Sequence, residues 1–322
     1  MEETTPLVGH GKRPERLEKQ AKPRRGPWQW LRWVLALVAA MAMMAVVVIA
    51  PALMAPPAVR LHDIARIANL TDYETLTGGR LIVVGDIHGL IKPLKRLMAK
   101  VQFDPNRDKL VLLGDFITKG EDLIAVLDYL IDNRAECVLG NHEYSVLELY
   151  TEYWKLPPPH FSGVDDDHAQ VEGRKLELKL AKRLRPRHIK FINLCSVIKR
   201  LGTLALGYPA IAVHAGVRPD LPLDQQPPNE NFEMRALLKP DYKRLTSDTD
   251  AEGAVAWLKI YNKQMKLEPK SQRTVVFYGH HAAAGLKLKK YTRGLDTGCA
   301  KGGQLTAMVI DHGVEELVQV DC

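Results

Sequence analysis

LIVVGDIHGL, Leu81–Leu90, is the stretch on which the reading of this chain turns. Four apolar residues read as a short buried strand. They stop at Gly85-Asp86, and His88 follows two places on. Burying an Asp and a His separately demands separate partners, because unpaired buried polar groups are costly. Holding both at one spot points to a shared metal ion.

The same ending recurs along the chain. The apolar run 110–113 leads to Gly114-Asp115, 136–139 to Gly140-Asn141-His142-Glu143, 211–213 to His214-Ala215-Gly216, and 274–278 to Gly279-His280-His281. Each glycine permits a sharp turn and a close approach of neighbouring loops. Sites in layered α/β folds lie at the carboxyl ends of strands. A lone Asp at such an end is commonly a helix cap; five ends in order carrying Asp, Asn or His are not explained that way. Mixed oxygen and imidazole donors suit borderline divalent ions and not a thiolate site. Further strands are predicted at 291–296, 305–310 and 315–320, and helices at 90–101, 121–132, 143–153 and within the basic region 172–200. Alternating apolar and amphipathic runs indicate an α/β fold with mixed layers. The loops are 155–168 and 220–232, rich in Pro and Asp.

The ordered motifs GDIHG, GDFITKG, GNHE, HAG and YGHH resemble the phosphoprotein-phosphatase branch of the calcineurin-like metallophosphoesterases, over roughly residues 81–312. GLDTGCAKGGQLTAMVI resembles the closing strands of that branch, especially in the symmetrical diadenosine-tetraphosphate hydrolases. GDFITKG behind a membrane anchor is most similar to the fungal vacuolar zinc-dependent endopolyphosphatases. The resemblance implies two packed mixed β-sheets flanked by helices, and two divalent ions: zinc first, with cobalt, manganese, iron or magnesium as alternatives. It implies one ion held by Asp86, His88 and Asp115. Asp115 is shared with a second ion that adds Asn141, His214 and His280. It gives His142 the role of general acid, while Glu143 reads as a helix-start residue. The implied reaction is attack on phosphorus by a hydroxide bridging the two ions.

Two positions depart from the family pattern G-D-x-V-D-R-G. Thr118 stands where an Asp normally orients the general acid, and Lys119 where an Arg forks onto phosphate, which a Lys cannot do. A weakened acid favours a leaving group that is itself a phosphate, so the expected substrate is inorganic polyphosphate, cut internally. Dinucleoside polyphosphates and phosphoserine or phosphothreonine proteins are the enzymatic alternatives; a non-catalytic, membrane-tethered polyphosphate binder is the alternative of another class. Arg218, just after HAGV, is a candidate phosphate contact. The basic stretches Arg174–Lys190 and Leu286–Arg293 read singly as solvated faces and together as a track for a polyanion. Few aromatic residues interleave them, so nucleic acid is not expected.

The N-terminus supplies the address. Trp33 to Ala55 holds no charged residue, 23 residues or about 34 Å of helix, enough to cross a bilayer. A cleaved signal peptide is the competing reading, against which stand the long basic segment ahead and the length of the apolar run. Of the net +7, residues 1–32 carry eight Lys/Arg against four Asp/Glu, or +4, leaving +3 for the rest. Positive-inside orientation therefore places the N-terminus in the cytosol and the remainder in the lumen, a type II arrangement. The expected organisation is a basic tail (1–32), a signal-anchor helix (33–55), a lumenal connector (56–80) with a short helix within 62–76, and the metallophosphoesterase domain (81–322). Glu3 ahead of Leu7-Val8 resembles an acidic dileucine signal for sorting adaptors and hints at a vacuole- or lysosome-like membrane. Asn69-Leu70-Thr71 is a glycosylation acceptor on the lumenal side. Cys137 and Cys299 read as small packing residues, and the four cysteines match no zinc spacing.

Overall fold

The computed structural model describes residues 26–49, 58–71, 79–163, 174–204 and 207–322. The tail to residue 25, residues 50–55 of the expected anchor and residues 72–78 of the connector lie outside the described residues. The chain divides into two units, residues 1–56 and 57–322.

In the first unit a helix runs Pro27–Met44 and continues as a wider turn through Ala45–Ile49. Proline at the first turn suits a helix start, where its missing N–H has no partner to lose. Trp28–Val47 is a 20-residue stretch of mean hydropathy 2.0. It is long and apolar enough to cross a membrane. It starts ahead of Trp33, taking in Trp28, Trp30 and Leu31 together with the single charge of Arg32.

The second unit carries fifteen described strands. In chain order they are β1 (Ile67–Asn69), β2 (Leu81–Val84), β3 (Lys109–Leu112), β4 (Glu136–Cys137), β5 (Ile198–Thr203), β6 (Pro209–Val213), β7 (Ala236–Leu238), β8 (Arg244–Thr246), β9 (Ala254–Ala256), β10 (Val275–Tyr278), β11 (Lys287–Lys289), β12 (Thr292–Gly294), β13 (Asp296–Thr297), β14 (Gln304–Asp311) and β15 (Val314–Asp321). One sheet has the order β1-β5-β6-β10-β12-β11; a second has β13-β14-β2-β3-β4, with β15 on β14; β8-β7-β9 form a small third. The two large sheets are mixed: β2, β3 and β4 run parallel, as do β6, β10 and β12, and antiparallel strands flank them.

Leu81, Val83, Val111 and Leu113 from the second sheet pack with Ala210, Ala212, Val275 and Phe277 from the first, forming the layer between them. Ile82, Val84, Leu110 and Leu112 point the other way, into the core beneath the helices Ile91–Lys100 and Leu123–Asp132. Both faces of β2 and β3 are thus covered, which is why these strands read as continuous apolar runs without alternation.

Four elements differ from the sequence reading: the strand expected at 291–296 splits into β12 of the first sheet and β13 of the second, and the helical region 172–200 gives way to β5 at Ile198. The described part of 62–76 is extended: Ile64 bridges Phe161, and β1 joins β5. Sheet pairing there overrides a weak helical pattern. The strand at 136–139 stops at Cys137: Val138 still donates to Leu112 but bridges Ser196, and Leu139 donates to Ser196 at the approach to β5. A disulfide between Cys137 and Cys195 pins that crossover, and a second joins Cys299 to Cys322. The cysteines therefore pair and do not simply pack. Partners 58 and 23 residues apart give no signal in spacing.

Candidate metal centre

The parallel strands β2, β3 and β4 of one sheet and β6 and β10 of the other end at one place. The glycines there are required by contact. A Cβ on Gly279 would stand 2.1 Å from Asp86 Oδ1, one on Gly140 2.3 Å from Asp115 Oδ1, and one on Gly114 2.6 Å from His214 Nδ1. Five strand-end loops approach so closely that no side chain fits at these three glycines. His88, Asp115, Thr118, Lys119 and His280 all have positive φ, half of the ten non-glycine residues described with it. Such backbone is costly, most of all for a β-branched Thr, and persists where the surroundings over-determine it. Glu143 locks the loops together: its carboxyl accepts from the backbone N–H groups of Gly140 (3.0 Å), Asp115 (2.7 Å) and Ile117 (3.1 Å). It caps the helix Asn141–Trp154 from its third position.

The sequence-predicted residues converge. His214 Nε2 lies 3.5 Å from Asp115 Oδ1, 3.0 Å from Asn141 Oδ1 and 3.1 Å from His280 Nδ1. Bonds of about 2.0–2.2 Å to one ion put neighbouring donors about 2.8–3.6 Å apart, from octahedral to tetrahedral geometry, so these spacings suit one small ion. His214 Nδ1 donates to the Leu113 carbonyl at 2.7 Å. That bond fixes the orientation of the ring and leaves Nε2 facing Asn141 Oδ1, the arrangement of a metal-ligating histidine held from behind by a carbonyl. On the other side of Asp115, its Oδ2 is 3.8 Å from His88 Nε2 and 3.8 Å from His142 Nε2. Asp86 Oδ2 is 4.0 Å from His88 Nε2, and Asp86 accepts from the His280 backbone N–H. Asp115 thus joins both ligand clusters.

The charges agree. Burial, then the Asp296 and Asp115 carboxylates, push Asp86 well above the usual carboxylate range. Burial, then Asp115, pushes Glu143 up to about 8. Asp115 is held low: burial opposes this, but the four imidazoles of His214, His142, His88 and His280 outweigh it. Burial draws His88 down to about 4 and His280 well below its ordinary value, leaving both in the neutral form that binds metals. Crowded buried carboxyls among neutral imidazoles fit divalent cations.

The ligand loops open on a cavity of about 220 Å³. Lys119, His142, Arg235, His281, Asp296 and Lys301 line it together with His88, Asp115, Asn141 and His280. Lys119 Nζ reaches His88 Nε2 at 3.0 Å. Arg218 does not line this cavity. Its guanidinium pairs with Asp220 at 2.7 Å and Glu230 at 3.4 Å, beside a separate cavity. Among the described residues the arginine that lines the cavity is Arg235, beyond the helix Pro228–Glu233. The basic stretches divide similarly: Lys287–Lys289 is an exposed strand, but Arg293 is buried against Glu315.

Sequence reasoning missed Glu177, on the helix Arg174–Ala181. It lies 2.7 Å from His142 Nδ1, so His142 does not lack a carboxylate partner despite Thr118. The signal was present: Glu177 is spaced with Leu180, Ala181 and Leu184 as one buried stripe, inside a run otherwise noted for its cations. It also missed Asp296 and Lys301, both within the closing GLDTGCAKGG segment.

A Gly279→Ala variant is expected to displace Asp86 and lose metal, with hydrolysis falling by at least about 10–100-fold, the loss typical of disturbing a ligand's support. Metal analysis of the purified variant checks this; unchanged metal content and rate would contradict the close-approach account.

Residues 79–286 match the family described as calcineurin-like phosphoesterase. The zinc-dependent endopolyphosphatase of Saccharomyces cerevisiae is 26% identical over 301 residues, spanning 84% of this chain and 89% of that protein. The symmetrical bis(5'-nucleosyl)-tetraphosphatase of Cellvibrio japonicus is 27% identical, spanning 74% of this chain and 97% of that one. A crystal structure described as that of a diadenosine tetraphosphatase superposes with a TM-score of 0.62 at 27% identity, covering 80% of this chain and 98% of the other.

Proposed function

The chain belongs to the calcineurin-like phosphoesterase family, and on that premise we propose that this hydrolase cuts inorganic polyphosphate at internal anhydride bonds. The observation that carries the choice is the lining of the cavity. Lys119, Arg235 and Lys301 surround the ligand cluster, and no Phe, Tyr or Trp is among the described lining residues. A nucleoside substrate needs a stacking platform as well as cations; a polyphosphate chain needs only cations. Similarity to a zinc-dependent endopolyphosphatase over most of both chains supports the same reading. Hydrolysis of dinucleoside tetraphosphates is the second reading, favoured by the similarity to a symmetrical tetraphosphatase.

In this reading Asp86, His88 and Asp115 hold one ion, and Asp115, Asn141, His214 and His280 the other; zinc fits their mixed oxygen and nitrogen donors. When bound, two such ions supply Lewis acidity at phosphorus and lower the pKa of water for attack. The chain's own residues do the rest. Lys119, Arg235 and Lys301 neutralise and orient the phosphate oxygens, and His142 Nε2 gives its proton to the oxygen that leaves.

The helix Pro27–Met44, with its continuation Ala45–Ile49, anchors the chain in a membrane, with the catalytic unit on the lumenal side of a vacuole- or lysosome-like compartment. The two disulfides support an oxidising side, since cytosolic thiols are kept reduced. Asn69 ends the edge strand β1 and is exposed, so it reports topology. In cells it is expected to carry glycan, with residues 57–322 protected from protease until the membrane is opened; an unmodified, protease-accessible catalytic unit would contradict this orientation.

The substrate is tested on the purified full chain with long polyphosphate, diadenosine tetraphosphate and a phosphopeptide, each with zinc, cobalt, manganese or magnesium. The expected result is the highest kcat/KM on long polyphosphate, with mid-length chains appearing before orthophosphate. Faster cleavage of diadenosine tetraphosphate would establish the second reading instead.

A further inference from the structure

We propose that Glu177 is the positioning residue for His142, holding its imidazole as proton donor from a helix outside the ligand loops. The inference rests on the phosphohydrolase reading of the site and not on polyphosphate being the substrate. Glu177 Oε1 lies 2.7 Å from His142 Nδ1, and the two side chains are 3% and 15% exposed. The carboxylate accepts from Nδ1–H, so Nε2 is the nitrogen left to serve the cavity. The ring of His88 stands edge-on to that of His142, with centroids 5.5 Å apart, and limits its rotation.

The other candidates for this task are absent among the described residues. Thr118 is fully buried, and its hydroxyl has no hydrogen-bond partner there. Glu143 turns both oxygens to backbone N–H groups. Glu177 differs from a structural carboxylate in one respect. Its Oε2 is buried with no partner among the described residues, so His142 is the one group it is shown to bind. An acid in a buried stripe with Leu180, Ala181 and Leu184 is costly to the fold. Its one clear return is an imidazole fixed in tautomer and direction.

The consequence is a full-strength acid despite Thr118. Water gives one proton to solvent and attacks as hydroxide; as its oxygen forms the bond to phosphorus, the bond to the leaving oxygen breaks and its electron pair stays on that oxygen. The oxygen takes the Nε2 proton of His142, which is left neutral with Nδ1–H still on Glu177. A poor leaving group is therefore within reach, and the departure at Thr118 does not restrict the enzyme to anhydrides.

The test uses the zinc-loaded full chain with an anhydride, p-nitrophenyl phosphate and phenyl phosphate, a series of rising leaving-group pKa. Glu177→Gln keeps the shape and removes the charge. It is expected to lower kcat on phenyl phosphate by about 10²-fold with KM within about twofold, the signature of a lost transition-state interaction. Bound zinc stays unchanged, the loss shrinks towards the anhydride, Glu177→Asp recovers part of it, and adding Glu177→Gln to His142→Ala loses nothing further. Equal losses on every substrate, losses additive with His142→Ala, loss of zinc, or an unaffected rate on phenyl phosphate would overturn the proposal. So would a wild type that cuts the anhydride but leaves both aryl esters intact. Aryl esters carry no chain, so failure on polyphosphate alone would count only against the substrate reading.

Discussion

Asp115→Asn is expected to lower hydrolysis by more than about 100-fold, beyond the loss typical of an outer-shell partner. The side chain is buried, and its two oxygens divide the labour: Oδ1 faces His214 at 3.5 Å, and Oδ2 faces His88 and His142 at 3.8 Å each. Among the described residues no other one joins both clusters. Asparagine keeps the shape, and the Asp115 backbone N–H keeps its bond to Glu143. Removing this charge also relieves Asp86 and Glu143, whose carboxyls it pushes upward. The variant should therefore fold and melt near the wild type while binding less metal. Metal analysis, thermal melting and kcat on one preparation check all three parts. Full retention of both metal and turnover would contradict the sharing of Asp115.

His142→Ala is expected to divide substrates by leaving group. A phosphate leaves with a pKa of about 6–7, whereas phenol stands near 10. Loss of a positioned acid should therefore reduce phenyl phosphate hydrolysis by about 10²–10⁴-fold and polyphosphate cleavage far less. Equal losses on both would remove His142 from proton donation. The same logic bears on the altered GDFITKG loop. Thr118→Asp with Lys119→Arg would seem to restore the family pattern and strengthen the acid. The structure reverses that expectation. Thr118 is fully buried, and Glu177 already occupies Nδ1 of His142. A second carboxylate there would be a buried charge without a partner, and reduced activity is the expected outcome.

The convergence of the six candidate ligands was legible because strand ends are local: an apolar run, a glycine and a donor are written side by side, as in Val84-Gly85-Asp86. Their meeting followed from the rule that such ends share a face. What was not legible depends on tertiary return. Arg218 follows His214 closely in sequence, yet Asp220 and Glu230 capture it facing another cavity. Arg235 reaches the site only after the intervening chain has folded back past Glu230. Glu177 lies 35 residues from His142, within a run whose cations dominated its reading. The disulfides were hidden for the same reason, since Cys195 meets Cys137 only where the chain crosses between sheets.

The central claim is that one carboxylate joins two metal ions at the meeting point of two sheets. Anomalous diffraction at the zinc edge, on crystals of the zinc-loaded protein, tests it most directly. The account predicts two zinc peaks, one contacting Asp86, His88 and Asp115 and the other Asp115, Asn141, His214 and His280. A single peak, or two peaks that do not share Asp115, would contradict it.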